Sequence, residues 1–172
     1  MMTLAETILM TQIGYENLLA KITEKEKEYD QVRDHRQVAF ELSGDGWHDN
    51  PEFNRMQQLE ANLNHTLKTL NDRLDVMKFI DIHDGMRNVQ QVEIGSIVKL
   101  RRYDLADDSE IEEIWEIRGF DETNIKLKHL AYNAPLASKI MHLHVGDLAE
   151  EVNIGSRHFD IEVVGLFASR QQ

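Results

Sequence analysis

The chain contains no cysteine, so neither a disulfide nor a thiolate metal site can form within it. It has two prolines, Pro51 and Pro135, which leaves long stretches without a strong helix breaker. Positive charge is scarce. Nineteen Lys and Arg residues face 31 Asp and Glu residues, for a net charge of −12. That balance excludes the basic face needed to displace counterions from duplex DNA. It does not exclude partnership with a nucleic-acid enzyme that supplies the positive charge itself. No apolar run approaches the roughly 20 residues that cross a bilayer. The start, MMTLAETILM, lacks the basic segment and long apolar core of a secretion signal. A soluble, cytoplasmic, monomeric protein without membrane contact is expected.

Two periodicities divide what remains. From Leu4 to Leu42, Ile8, Tyr15, Leu18, Ile22, Tyr29, Val32 and Ala39 recur at spacings of three, four and seven, with Lys25 and Arg36 as polar members. That is a heptad seam. From Glu52, the residues Phe53, Met56, Leu63, Leu67, Leu70, Leu74 and Met77 continue the rhythm, interrupted by Glu60. Two such runs joined by a short segment predict an antiparallel helical hairpin, with a second arm about 40 Å long. Ser43-Gly44 is suited to end the first helix, with Gly44 left-handed. Asn50 as N-cap, Pro51 at the first helical position and Glu52 in the first turn can start the second.

Beyond a hinge around residues 81–91 the period shortens. SIVKLRRY, EIWEIRGF, NIKLKHL, EEVNI and HFDIEVVGLF read as strands, DLADDSEIEE as a solvated turn, and NAPLASKIMHLHVGD as a loop with one short helix. The fold class expected is therefore α+β: an N-terminal coiled-coil hairpin over residues 1–82, a linker over 83–91, and a small β domain with one short helix over 92–172. The eight His residues are scattered, and His142 and His144 have no third ligand at a recognisable spacing, which argues against zinc.

The tip of the hairpin, residues 43–53, carries Asp45, Asp49 and Glu52 with no Lys or Arg. Acidic side chains are common in exposed turns, and Glu52 gains from the helix N-terminus. The sharper reading is an incomplete Mg²⁺ site. Carboxylate oxygens suit that ion, and two of them on a tip would hold it weakly unless a partner completes the shell.

The same residues carry a family resemblance. GDGWHDNPEF resembles the tip motif G-D-x-S-E-N-x-E-[YF] of the bacterial GreA/GreB transcript-cleavage factors, with one extra residue. Gly44 and Asp45 match its opening, Asp49 stands at its Glu, and Asn50, Glu52 and Phe53 match its close. NAPLASKIMHLHVGDLAEEV resembles the family's S-P-[LI] segment, and FDIEVVGL its last strand. The resemblance implies an FKBP-like second domain and a transcription elongation factor that is not itself an enzyme. Such a factor binds bacterial RNA polymerase and inserts the coiled coil through the secondary channel. It stimulates Mg²⁺-dependent cleavage of backtracked RNA, meeting the RNA 3′ end only through the polymerase. On that reading Asp45 and Asp49 are the catalytic and metal-proximal pair, and Glu52, Phe53, Asn50 and Trp47 support the tip. Asn133, Ala134, Pro135 and Leu136 form the polymerase-binding loop. The alternative is a Gre-like channel regulator that inhibits or modulates transcription without efficient cleavage. The inserted residue, Trp47-His48 and the shorter Asp49 are departures from the motif, as is Asn133 where the family has Ser.

Overall fold

The computed structural model describes residues 6–170. It contains two compact units, one built on Tyr15–Met77 and the other on Leu9–Gly14 with the chain from Lys78 onward.

The first unit is the hairpin. Helix α1 covers Gln12–Ser43, a 3-10 helix follows over Gly44–Asp49, and α2 covers Pro51–Val76. Leu18, Ile22 and Ala39 of α1 and Phe53, Met56 and Leu70 of α2 are buried, and every other seam position from Tyr15 onward is half-buried. The predicted stripe is thus the packed face. Two of its three polar members meet across the helices: Arg36 forms an ion pair with Glu60, and the Tyr29 hydroxyl donates to Glu60 at 3.3 Å. Satisfying one another offsets the cost of placing charges in an apolar seam.

One boundary differs from expectation. A helix was expected from Leu4, which lies outside the described residues, and it was to include Ile8. Ile8–Met10 is instead a strand, β1, and α1 starts only at Gln12. Thr11 is the reason. Its hydroxyl accepts from Gly14 N–H at 3.3 Å, as an N-cap does, while its own N–H and hydroxyl both donate to the buried carboxylate of Glu122, at 2.7 and 2.9 Å. Gly119 N–H donates to the other oxygen at 3.2 Å. Gly14 is required here, because a Cβ would lie 2.0 Å from Glu122 Oε1.

The second unit includes Leu9 and Met10 of β1, which pairs with β2 (Met77–Phe79), Lys78 and Phe79 of β2, and a five-stranded sheet. The sheet comprises β3 (Ile97–Asp104), β4 (Glu110–Arg118), β5 (His129–Ala131), β6 (Leu148–Ile154) and β7 (Arg157–Phe167), in the order β5-β4-β3-β7-β6. All neighbours are antiparallel except β4 and β5, which run parallel. Alternation sorts the faces. Val98, Leu100, Ile117, Ile161 and Val163 point into a core closed by Leu136, Ala137 and Ile140 of the short helix α3 (Pro135–Ile140). On the other face, Lys99 and Arg101 pair with Glu110, Glu112 and Glu162. The strand expected over NIKLKHL is a correction: only its last residues join β5. Asn124 N–H and His129 C=O close a turn, and Lys128 takes φ of +55°, outside the β region.

Candidate functional site at the hairpin tip

The tip is built from the inside outward. Gly44 takes φ of +55° and ends α1 as its sequence position suggests. The Ser43 hydroxyl donates to Ala39 C=O at 2.6 Å. Asn50 then joins the two helices. Its Oδ1 accepts from Glu52 N–H at 2.9 Å and Phe53 N–H at 3.3 Å, capping α2. Its Nδ2 reaches back to Ala39 C=O at 3.3 Å and to the Ser43 hydroxyl. One side chain thus fixes the end of α1 relative to the start of α2.

An aromatic clasp closes the other side. Trp47 meets Phe53 edge-on at 5.2 Å and Phe40 at 5.8 Å, and Phe40 lies 6.0 Å from Phe53. Phe53 is buried, so the clasp is anchored in the seam. The extra residue of GDGWHDNPEF is absorbed by one stretch of 3-10 helix, held by the Asn50 N–H to Trp47 C=O bond at 3.2 Å. Phe40 is the participant that sequence reading missed. It falls one residue beyond Ala39 and off the heptad seam, and only its aromatic character, seven residues before Trp47, hints at the contact.

The carboxylates of Asp45, Asp49 and Glu52 are all exposed. Asp45 and Asp49 lie near opposite ends of the 3-10 helix, and Glu52 lies in the first turn of α2. Hard carboxylate oxygens suit Mg²⁺. Among the described residues no group of three or more His, Cys, Asp or Glu side chains is placed to hold a metal ion.

The second set of predicted residues lies in the β domain. Asn133 and Pro135 are exposed and Ala134 is half-buried, whereas Leu136 belongs to the core. A partner at this loop would meet Asn133 and Pro135, with Leu136 serving as the loop's anchor. Asn133 is itself fixed: it accepts from Asp121 N–H at 2.9 Å and donates to Asp121 Oδ1 at 2.8 Å.

A third cluster was not anticipated. Glu116 is buried and receives Arg118 at 2.8 Å and Arg170 at 3.0 Å, with Arg87 at 3.8 Å. Burial pushes its carboxyl up, but the Arg118 hydrogen bond and the surrounding guanidinium charges pull harder and hold it below the ordinary range. Arg118 is a near neighbour on the same strand, but Arg87 and Arg170 come from distant parts of the chain, which no local pattern discloses.

Comparison with known proteins finds similarity to transcription elongation factors. Residues 87–165 match the family model described as "Transcription elongation factor, GreA/GreB, C-term". Transcription elongation factor GreA of Sinorhizobium medicae is 23% identical over 163 residues, covering 94% of this chain and 98% of that one. The GreA of Maricaulis maris is 26% identical over 102 residues, covering 59% and 61% of the two chains. Among solved structures, GreA factor homolog 1 of Thermus thermophilus covers 94% of this chain and 99% of its own, at 18% identity and a TM-score of 0.43. The GreA/GreB factor of Nitrosomonas europaea covers 93% and 98%, at 15% identity and a TM-score of 0.33. No helix among the described residues is long and apolar enough to cross a membrane. Over residues 87–165, a little under half of its length, this chain is similar to the C-terminal part of the GreA/GreB transcription elongation factors.

Proposed function

We propose that this protein binds bacterial RNA polymerase and carries Asp45 and Asp49 through the secondary channel to stimulate cleavage of backtracked RNA. The observation that supports this reading is the tip: two exposed carboxylates on a short 3-10 helix clamped by Asn50 and by the Phe40–Trp47–Phe53 clasp. Catalytic groups must be held in place before the reaction, and a clamped tip meets that need better than a loose loop. A second Mg²⁺, shared with the polymerase, would supply charge neutralisation at the scissile phosphate. Asp45 and Asp49 would supply oxygens toward it, and either could orient the attacking water. Glu52 and Phe53 keep the pair in register. The chain is then no enzyme itself; the hydrolytic activity belongs to the polymerase. Asn133, Ala134 and Pro135 form the loop offered to the polymerase, held from below by Leu136.

A second reading is regulation of transcription from the same channel without efficient cleavage. Trp47 favours it. A bulky indole at the tip, in a turn one residue longer than the family motif, presents Asp49 from a different backbone position.

A halted bacterial elongation complex with end-labelled RNA tests both. Added factor and Mg²⁺ should shorten the RNA, and Asp45→Ala with Asp49→Ala should stop shortening while co-sedimentation with polymerase persists. Full-length RNA with reduced synthesis selects the second reading. No association with polymerase sinks both.

A further inference from the structure

We infer that the free edge of β4, with the groove beside it, is a docking site for an extended acidic peptide segment of a partner protein. This inference does not depend on the cleavage reading. Strand β4 runs from Glu110 to Arg118, yet its neighbour β5 pairs only with Glu116, Ile117 and Arg118. On that side Glu116 N–H donates to Lys128 C=O, and Arg118 C=O accepts from Tyr132 N–H. Residues alternate along a strand, so Glu110, Glu112 and Ile114 aim their N–H and C=O groups the same way. Among the described residues no strand pairs with them there. A row of unpaired main-chain groups is a template for a further strand.

The usual defence of an edge is charge, and here it is cancelled. Glu110 and Glu112 pair with Lys99 and Arg101, and Glu113 with Arg102. Further cations stand on the adjoining turn. Lys126 and Lys128 are both exposed; Lys128 lies 4.9 Å above the Trp115 ring and 3.6 Å from the Glu113 carboxylate, which it shares with Arg102. These two Lys residues flank Leu127 in a groove of about 360 Å³ that also includes Ile97, Ile114 and Phe167. Ile114 and Leu127 are 43% and 52% exposed, enough apolar surface to seat one side chain of an added strand. The indole N–H of Trp115, in the groove wall, is buried and has no acceptor among the described residues. Backbone pairing would supply the affinity. The groove would select an apolar residue, and the two Lys residues an acidic neighbour. A second copy of this chain suits the edge less well, since each copy carries a net charge of −12.

The test uses the full chain and a fluorescein-labelled 12-residue peptide of alternating Asp and Val with one central Phe. Anisotropy should show saturable binding that weakens about tenfold or more when Lys replaces Asp in the peptide. In the protein, Lys126→Glu with Lys128→Glu should weaken it similarly. Glu112→Pro should weaken it at least about tenfold, because it removes an outward N–H and leaves the ladder to β3 intact. Amide shifts of the unaltered protein, confined to residues 110–114 and 126–128, would support the site even if that variant folds poorly. Absence of saturable binding, equal binding of both peptides, or shifts elsewhere would overturn the proposal. So would self-association in sedimentation that Glu112→Pro abolishes, since the occupant would then be a second copy.

Discussion

The hairpin and the β domain are stabilised by different means, and the difference shows where this chain can present chemistry. The β domain has a continuous apolar core beneath its sheet, and its charges are largely paired with one another. The hairpin has a single seam, a polar pair at Arg36 and Glu60 within it, and a clamp at its end. A thin seam leaves most of each helix in water. It also lets the tip carry exposed carboxylates. A thick core allows no such freedom, so the groups the β domain can offer are those at its edges and turns.

The sharpest way to break this contrast is to remove core volume from each unit. Leu100→Ala, in a fully buried position, should destabilise the β domain by about 3–5 kcal/mol. Phe53→Ala should cost about 2–3 kcal/mol, because its ring is buried at the seam but borders an open tip. Chemical denaturation followed by far-UV circular dichroism measures both. Equal losses would mean that the tip clasp is as tightly packed as the core.

Next in size is the Glu116 cluster, which contrasts a buried ion pair with the solvated pairs of the helices. Its carboxyl is held below the ordinary value of 4.5, so the stability it adds is fully present above that pH. That stability is lost as pH falls through the lower value it has in the folded protein. Glu116→Gln should cost about 2 kcal/mol near neutral pH and flatten the acid side of the melting-temperature profile below about pH 4.5. An unchanged profile would show that the guanidinium groups are satisfied without it.

Asn50→Ala isolates the clamp from the clasp. It removes the cap of α2 and the bridge to Ala39 and Ser43, and should cost about 1 kcal/mol. Phe40→Ala serves as the companion measurement, since it weakens the clasp while leaving Asn50 in place.

These sites differ in how far the sequence discloses them. The seam, the glycine that ends α1 and the Asn-Pro start of α2 are local signals, because a helix repeats every few residues and its caps use few residue types. Strands β3, β6 and β7 were legible for the same reason. The register that places Glu116 among Arg87, Arg118 and Arg170 was not, because ion pairs between distant segments obey no spacing. Ile8–Met10 reads as helix by composition, and only the carboxylate of Glu122, more than a hundred residues away, explains the late start of α1. NIKLKHL alternates as a strand should, yet the ladder reaches only its last residues, so tertiary pairing overrode the pattern. At the tip, the acidic residues were evident at once, and the aromatic clasp that positions them was only half visible through Trp47 and Phe53.

The smallest expected effect on stability distinguishes the two units most clearly in function. Asp45 and Asp49 are exposed at the tip, so replacing both with Ala should change unfolding free energy by less than about 0.5 kcal/mol. If these residues served the fold, the double variant would melt early and lose α2 capping along with any activity. If they serve a partner's reaction, the variant should melt with the parent, associate with polymerase as the parent does, and leave backtracked RNA uncut. The Asn50→Ala variant supplies the control in the opposite direction: its carboxylates are intact but its clamp is loosened. Partial cleavage by that variant, at a rate that rises as temperature falls, would tie activity to how firmly the tip is held. Full activity in Asn50→Ala would mean that the aromatic clasp alone positions Asp45 and Asp49.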